Sequence, residues 1–176
     1  MARPVLVTGG AGYIGSHAAK ALASAGYLPV TYDNLRHGHR AAVRWGPLED
    51  GDLLNEAQLD AVLRRWRPEA VLHFAGLISV GESVEHPGLY YQNNLVASLN
   101  LVQAMRTHDV GRIVFSSTAA VYGTPDVVPI PETTPFRPLN PYGSSKAMVE
   151  AMLADFGRAH GLRSVALRYF NAAGAD

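Results

Sequence analysis

The sequence reads as a doubly wound parallel α/β sheet with helices on both faces, and three features lead there. Short apolar runs of strand length alternate with segments of helical periodicity along the chain, so each strand is followed by a crossover. The first strand, Pro4-Val5-Leu6-Val7, enters a glycine-rich turn, Thr8-Gly-Gly-Ala-Gly-Tyr-Ile-Gly15, that opens a helix. The second strand, Leu28 to Tyr32, ends on an acid, Asp33. About six strands are expected, in the order 3-2-1-4-5-6, as one domain over residues 1–176.

In the first helix, Ile14, Ala18, Ala21, Leu22 and Ala25 recur at helical spacing, and Gly26 supplies the stop. A glycine turn of this kind lets backbone approach a pyrophosphate. The helix N-terminus behind it offers free N–H groups and a partial positive charge. Two spacings fit the turn, Gly10-x-Gly12-x-x-Gly15 and Gly9-x-x-Gly12-x-x-Gly15, and a βα turn without any ligand fits as well. Asp33 lies 18 residues past Gly15, close to the roughly 20 expected of the acid that accepts the ribose hydroxyls of a dinucleotide. A carboxylate there repels a 2′-phosphate and so favours NAD over NADP. Taken alone, Asp33-Asn34 reads equally as a turn.

Composition narrows the partners. The 176 residues are 48% hydrophobic, enough for one domain with a core. Lys plus Arg equals Asp plus Glu at 15 each, so no overall field points to nucleic acid or an anionic membrane. A small-molecule partner is expected instead. Cysteine is absent, which excludes disulfides, thiolate metal sites and a cysteine nucleophile. The N-terminus carries no signal-peptide pattern and no run approaches about 18 apolar residues, so a cytoplasmic location is expected.

Residues 34 to 44 read as a basic, solvated loop. With His17, its His37 and His39 fit no metal-ligand spacing, and no metal is expected. A short strand over Trp45 to Glu49 leads to Gly51-Asp52-Leu53, then a helix from Glu56 to Trp66 capped by Asn55. Asp52 follows a strand end and could reach an adenine, which its spacing alone does not show. Ala70 to Phe74 forms the fourth strand, its end at Ala75-Gly76 small enough for a ligand to approach. His73 reads as a satisfied core histidine. One long helix is expected from Pro87 to His108, its apolar face wide enough for burial against the sheet and a partner subunit. Gly111 to Ser116 is the fifth strand, running into Ser117-Thr118, a hydroxyl cluster where ligands sit in such sheets. Residues 123 to 141 form a proline-rich loop of functional length. A last helix covers Tyr142 to His160, and Ser164 to Tyr169 is the sixth strand.

Tyr142 and Lys146 lie four residues apart and share a helix face, which Val149, Leu153 and Phe156 turn toward the sheet. An inward lysine is costly unless paired. Beside its ammonium the Tyr142 phenolate is favoured, so the phenol pKa is expected to fall toward neutrality. Tyr142 then suits proton transfer with a substrate hydroxyl, Lys146 suits tuning that proton and holding ribose hydroxyls, and Thr118 suits a further hydrogen bond to the reacting oxygen. Tyr-x-x-x-Lys alone is a weak pattern. After a glycine turn and a hydroxyl cluster it becomes the leading reading, and it selects the Gly9-x-x-Gly12-x-x-Gly15 spacing.

These stretches resemble the extended short-chain dehydrogenase/reductases, and among them the UDP-glucose 4-epimerases and close UDP-sugar 4-epimerases. The resemblance runs through Thr8 to His17, Tyr32-Asp-Asn-Leu35, Gly51-Asp52-Leu53, His73-Phe-Ala-Gly-Leu77, Val80-Gly-Glu-Ser83, Tyr90-Tyr-Gln-Asn-Asn94, Phe115 to Gly123, Pro141-Tyr-Gly-Ser-Ser-Lys146 and Leu167-Arg-Tyr-Phe-Asn171, in family order. It implies a Rossmann-type fold and a reaction in which NAD takes hydride from C4 of a UDP-sugar while Tyr142 takes the O4 proton. The 4-keto sugar then turns over and hydride returns to its other face. With Gly9, Gly12 and Gly15, the implied cofactor contacts are Tyr13, Ile14, Asp33, Asn34, Asp52, Leu53, Phe74, Ala75, Gly76, Asn93, Tyr142, Lys146 and Phe170. The implied substrate contacts are Thr118, Tyr142 and Asn171. Related 4,6-dehydratases carry Thr-Asp-Glu where this chain has Thr118-Ala119-Ala120, so the acid and base for dehydration are missing. Ile78 stands where some epimerases place a lysine near the pyrophosphate.

Members of that family are about twice this length, and their second half builds most of the sugar pocket. A C-terminal substrate subdomain is therefore expected to be absent, and the chain is expected to bind NAD while epimerising poorly. The competing expectations are a non-catalytic NAD-binding domain and another NAD-dependent sugar-nucleotide dehydratase or reductase. A homodimer through the helices at 87–108 and 142–160 is also expected.

Overall fold

The structure, a computed structural model, describes residues 2–174; Met1, Ala175 and Asp176, which the single-domain expectation includes, lie outside the described residues. Six strands form one sheet: β1 (Arg3–Thr8), β2 (Tyr27–Asp33), β3 (Leu48–Asp50), β4 (Ala70–His73), β5 (Arg112–Ser116) and β6 (Arg163–Leu167). All neighbours pair in parallel, in the order β3-β2-β1-β4-β5-β6. This is the Rossmann-type arrangement that the alternation of strand and helix called for.

The helices are α1 (Tyr13–Ser24), α2 (Glu56–Trp66), α3 (Val80–Glu85), α4 (Pro87–Tyr90), α5 (Ala97–Thr107) and α6 (Pro141–His160). Leu6, Val30, Val71, Ile113 and Phe115 project from one sheet face. They pack on Leu59 and Leu63 of α2, Leu101 and Met105 of α5, and Val149 and Leu153 of α6. Strand alternation puts Val5 and Val7 on the other face, where α1 lies along β1 and β2. Toward β6 that second face is open, and Val165 and Leu167 are 55% and 43% exposed. Among the described residues no helix is long and apolar enough to cross a membrane.

Four local expectations change. The third strand begins at Leu48 rather than Trp45, because Gly46 and Pro47 press against β2: a side chain at Gly46 would lie 1.9 Å from Pro29 O. In α1 the buried face is Gly15 and Ala19, while Ala21 and Ala25 are exposed, since the helix must bring Gly15 against the glycine turn. The single helix expected from Pro87 to His108 is interrupted by a π-helical turn at Tyr91–Val96. The stretch before it forms an unexpected helix, α3, capped by the Ser79 hydroxyl accepting from Glu82 N. The helix capped by Asn55 forms as expected, with Asn55 Oδ1 accepting from Gln58 N.

Candidate active site

The carboxyl ends of β1, β2, β4 and β5 open into one cleft of about 1450 Å³. At the end of β1, Gly9 adopts φ +70°, and a Cβ there would stand 2.5 Å from Ala75 N. A Cβ on Gly15 would stand 2.3 Å from Gly9 O. Those two glycines are required by the protein's own backbone packing. Gly12 differs, because a Cβ there would meet only Gly9 O, at 3.3 Å, and the rest of its surroundings are open. Gly12 caps α1 without any side-chain hydrogen bond, and no acid sits in the first helical turn. The first N–H groups of α1 are thus left to the cleft, with the positive end of the helix dipole behind them.

Asp33 fastens this turn. Its Oδ2 accepts from Ala11 N at 3.0 Å and its Oδ1 from Leu35 N at 2.8 Å. A carboxylate has about four lone pairs, so acceptor capacity remains on the cleft side. Asn34 donates from Nδ2 to Asp52 Oδ2 at 2.9 Å, and Asp52 Oδ1 accepts from Leu54 N at 2.8 Å, which joins the ends of β2 and β3.

Across the cleft, Thr118 starts a 3₁₀ turn and accepts from Ala120 N through its own hydroxyl oxygen at 3.1 Å. The same hydroxyl also acts on the Tyr142 phenol, in the direction that lowers its pKa. Asn140 caps α6 by accepting from Gly143 N at 2.8 Å, and this sets Tyr142 in the first turn. Lys146, one turn on, is 3% exposed; its Nζ donates to Ser116 O at 3.0 Å and lies 4.8 Å from the Phe115 ring centroid. Burial lowers its pKa to about 8. Tyr142 does not follow the expectation of a lowered pKa. Burial raises it, the Thr118 hydrogen bond opposes that rise, and nearby Tyr169 adds to it. The physical reason is that the Lys146 ammonium is turned to the Ser116 carbonyl and the Phe115 face.

A second network braces this side. Arg168 forks onto Glu150 at 3.0, 3.0 and 2.7 Å and donates to Tyr122 OH at 2.7 Å. Glu150 also accepts from the Ser117 hydroxyl, and Arg168 stacks over Phe136, 4.6 Å from its centroid. The return of the proline-rich loop is thereby tied to α6 and to the residue beside Thr118.

Residues 5–176 match the family described as "Epimerase: NAD dependent epimerase/dehydratase family". The chain belongs to this family. Among curated members it is 55% identical over 172 residues to the UDP-glucose 4-epimerase of Rhizobium leguminosarum bv. trifolii, covering 98% of this chain and 53% of that one. It is 57% identical over 173 residues to the UDP-glucose 4-epimerase of Azospirillum brasilense, covering 98% and 50%. The crystal structure of UDP-glucose 4-epimerase from Brucella ovis in complex with NAD superposes with a TM-score of 0.98 at 52% identity, over 99% of this chain and 54% of that one. This family member spans about half the length of the curated relatives it matches.

In this epimerase/dehydratase-family chain, every residue expected from the sequence to be a catalytic, cofactor or substrate contact lines this cleft. The glycine turn (Gly9, Gly12, Tyr13, Ile14, Gly15) and the β2–β3 ends (Asp33, Asn34, Asp52, Leu53) are there, with Phe74, Ala75, Gly76 and Asn93 at its centre. Thr118, Tyr142, Lys146, Phe170 and Asn171 complete it. Ile78 also lines it and is 74% exposed. Sequence reasoning missed Tyr169, which lines the cleft and shares a hydrogen bond with the Ser116 hydroxyl, and buried Asn94, which holds both backbone groups of Leu77. Neither stands at a spacing that marks it. The helix at Val80–Glu85 did carry a signal, Ser79-x-x-Glu82, the pattern of a capping box. Among the described residues no group of three metal-ligating side chains occurs.

Proposed function

We propose that this chain is the NAD-binding, proton-transferring part of a UDP-sugar 4-epimerase of the UDP-glucose/UDP-galactose type, as a single domain over residues 1–176. One observation carries the reading: an uncapped helix N-terminus, an acid at the end of β2 and the Thr118/Tyr142/Lys146 set all open into the same cleft. A dinucleotide fits the residues present. The open space at Gly12 admits a pyrophosphate beside the free N–H groups of α1. Asp33, with acceptor capacity to spare, suits ribose hydroxyls, and its charge disfavours a 2′-phosphate.

Bound NAD would supply the hydride acceptor and donor for C4 of the sugar. The chain's own residues would handle the proton and the orientation. Tyr142 would take the O4 proton and give it back, and the Thr118 hydroxyl, which opposes the rise of the phenol pKa, would bind the same oxygen. Because burial holds the phenol high, its ionised form needs positive charge in the cleft, and Lys146 one helical turn away is the chain's own source. Ala119 and Ala120 offer no acid or base for dehydration, which supports epimerisation over that alternative. Asn171 would contact the UDP-sugar. The reading carries with it a cytoplasmic location, where NAD and nucleotide sugars are drawn from solution, and a homodimer through the α4–α5 and α6 region. The dimer is supported by the exposure of Val96 and Met148 and is tested by sedimentation.

Mixing the NAD-loaded chain with UDP-glucose tests the chemistry. Reduced nicotinamide accumulates in the wild type and not in Tyr142→Phe at equal NAD content. Equal reduction in both variants, or release of NADP in place of NAD on denaturation, overturns the reading.

A further inference from the structure

The π-helical turn at Tyr91–Val96 separates cleft-lining Asn93 from buried Asn94. Wide turns of this kind are rare and concentrate at functional sites. A directed hydrogen-bond chain ends on it. Ser98 Oγ donates to the Asn94 main-chain carbonyl, which can only accept. The Ser98 oxygen therefore accepts the hydrogen bond from His73 Nε2–H, 2.8 Å away. His73 Nδ1 is left as an acceptor, and Thr8 Oγ1 donates to it at 2.7 Å. The tautomer is assigned by this network. Thr8, His73, Ser98 and Asn94 are all at most 2% exposed. Burial, with the Lys146 charge as a second cause, lowers the His73 pKa to about 3, so the imidazole stays neutral.

The chain continues beyond the carbonyl. The Asn94 amide donates to Leu77 O at 3.0 Å and to Ser145 Oγ at 3.2 Å, and its oxygen accepts from Leu77 N at 2.8 Å. Ser145 Oγ donates to Tyr142 O at 2.7 Å. A side chain on Gly76 would meet Asn94 Oδ1 at 3.1 Å and Lys146 Nζ at 3.4 Å, so the amide and the ammonium close over the same glycine.

We propose that His73 is a positioning residue: its imidazole, donating through Nε2, ties the glycine turn at Thr8 to the wide turn at Asn94. Through the Asn94 amide it also fixes Gly76-Leu77 and the first turn of α6 that carries Tyr142. The consequence for the cofactor rests on the NAD reading above; the consequence for the backbone does not. Four segments that would contact the dinucleotide are thus registered by one uncharged ring.

The test uses Ser98→Ala and Thr8→Val, which cut the chain while keeping the volume of His73, and Thr8→Ser, which keeps the hydroxyl. Val62→Ala on α2 serves as a control for general destabilisation. In the ligand-free wild type, ring-nitrogen resonances of His73 are those of a neutral Nε2–H tautomer. In Ser98→Ala and Thr8→Val, the Leu77 amide exchanges about tenfold faster and NAD binds about tenfold more weakly, the size of one lost buried hydrogen bond. Thr8→Ser stays near the wild type on both readouts, and so does Val62→Ala despite a lower Tm. An Nδ1–H tautomer overturns the proposal. So does Leu77 exchange in Ser98→Ala no faster than in Val62→Ala. If the wild type binds no NAD while Leu77 exchange responds as stated, the positioning role stands and the cofactor reading fails.

Discussion

Gly12→Ala separates the ligand's need for a glycine from the fold's need. Gly12 sits at φ −83°, ψ 176°, a conformation open to alanine. The added Cβ would touch only Gly9 O, at 3.3 Å, so relief needs a few tenths of an ångström. Alanine is a poorer N-cap than glycine, yet it lowers the entropy of the unfolded chain, and the two effects nearly offset. Stability is therefore expected to change by about 1 kcal/mol or less. Binding is different. A methyl group in the open space displaces an anion from the α1 N–H groups and costs at least one charge-assisted hydrogen bond, about 1.5–3 kcal/mol, or roughly 10- to 100-fold in Kd. Gly15→Ala is the contrasting variant. Its Cβ would stand 2.3 Å from Gly9 O and 2.8 Å from Gly10 Cα, both backbone, so stability and binding fall together. Calorimetric titration with NAD and a thermal melt on the same samples read both quantities. A Gly12→Ala chain that melts like the wild type and also binds NAD like the wild type would refute the placement of the pyrophosphate at this turn.

Further outcomes concern two buried basic groups, Lys146 and His73. Lys146→Met removes a desolvated ammonium, so the variant is expected to be about 1–2 kcal/mol more stable at neutral pH and to bind NAD about tenfold more weakly. With a folded pKa of about 8 against 10.5 unfolded, the unfolded wild type holds a proton between those values that the folded chain has released. Wild-type stability should accordingly rise across that window by about 1.4 kcal/mol per pH unit, and Lys146→Met should lack the rise in denaturant titrations. His73 works at the acid end. Its pKa is about 3 folded against 6.5 unfolded, so the unfolded chain takes up a proton that the folded chain refuses. Stability should fall as pH drops below 6.5, at about 1.4 kcal/mol per pH unit, and a flat profile between pH 6.5 and 5 would contradict a neutral buried imidazole.

The elements set by local chemistry were legible in the sequence. Asn55 caps α2 because an Asx side chain satisfies the first N–H groups wherever it precedes such a helix, and Gly161 stops α6 at φ +70°. The sheet order follows from parallel strands joined by crossovers. What stayed hidden depends on contacts distant in sequence. The break at Tyr91–Val96 comes with Ser98 and Asn94 bonding to partners on β4, the Leu77 loop and α6, which helical periodicity does not register. The spacing of Tyr142 and Lys146 put them on one face correctly, but it could not say that the ammonium would turn to Ser116 O or that burial would raise the Tyr142 phenol. Helical spacing alone does not pick out the buried face of α1, because alanines look alike, whereas Gly15 is held against the turn where a Cβ would stand 2.3 Å from Gly9 O. For the cleft, the residues that line it were legible and their wiring was not.

The most direct measurement is a pair of calorimetric titrations of the purified chain, one with NAD and one with NADP. The glycine turn and Asp33 predict one NAD site per chain, with NADP at least about tenfold weaker because its 2′-phosphate meets the Asp33 carboxylate. No saturable binding, or equal affinity for the two nucleotides, would contradict a dinucleotide cradle at the end of β1.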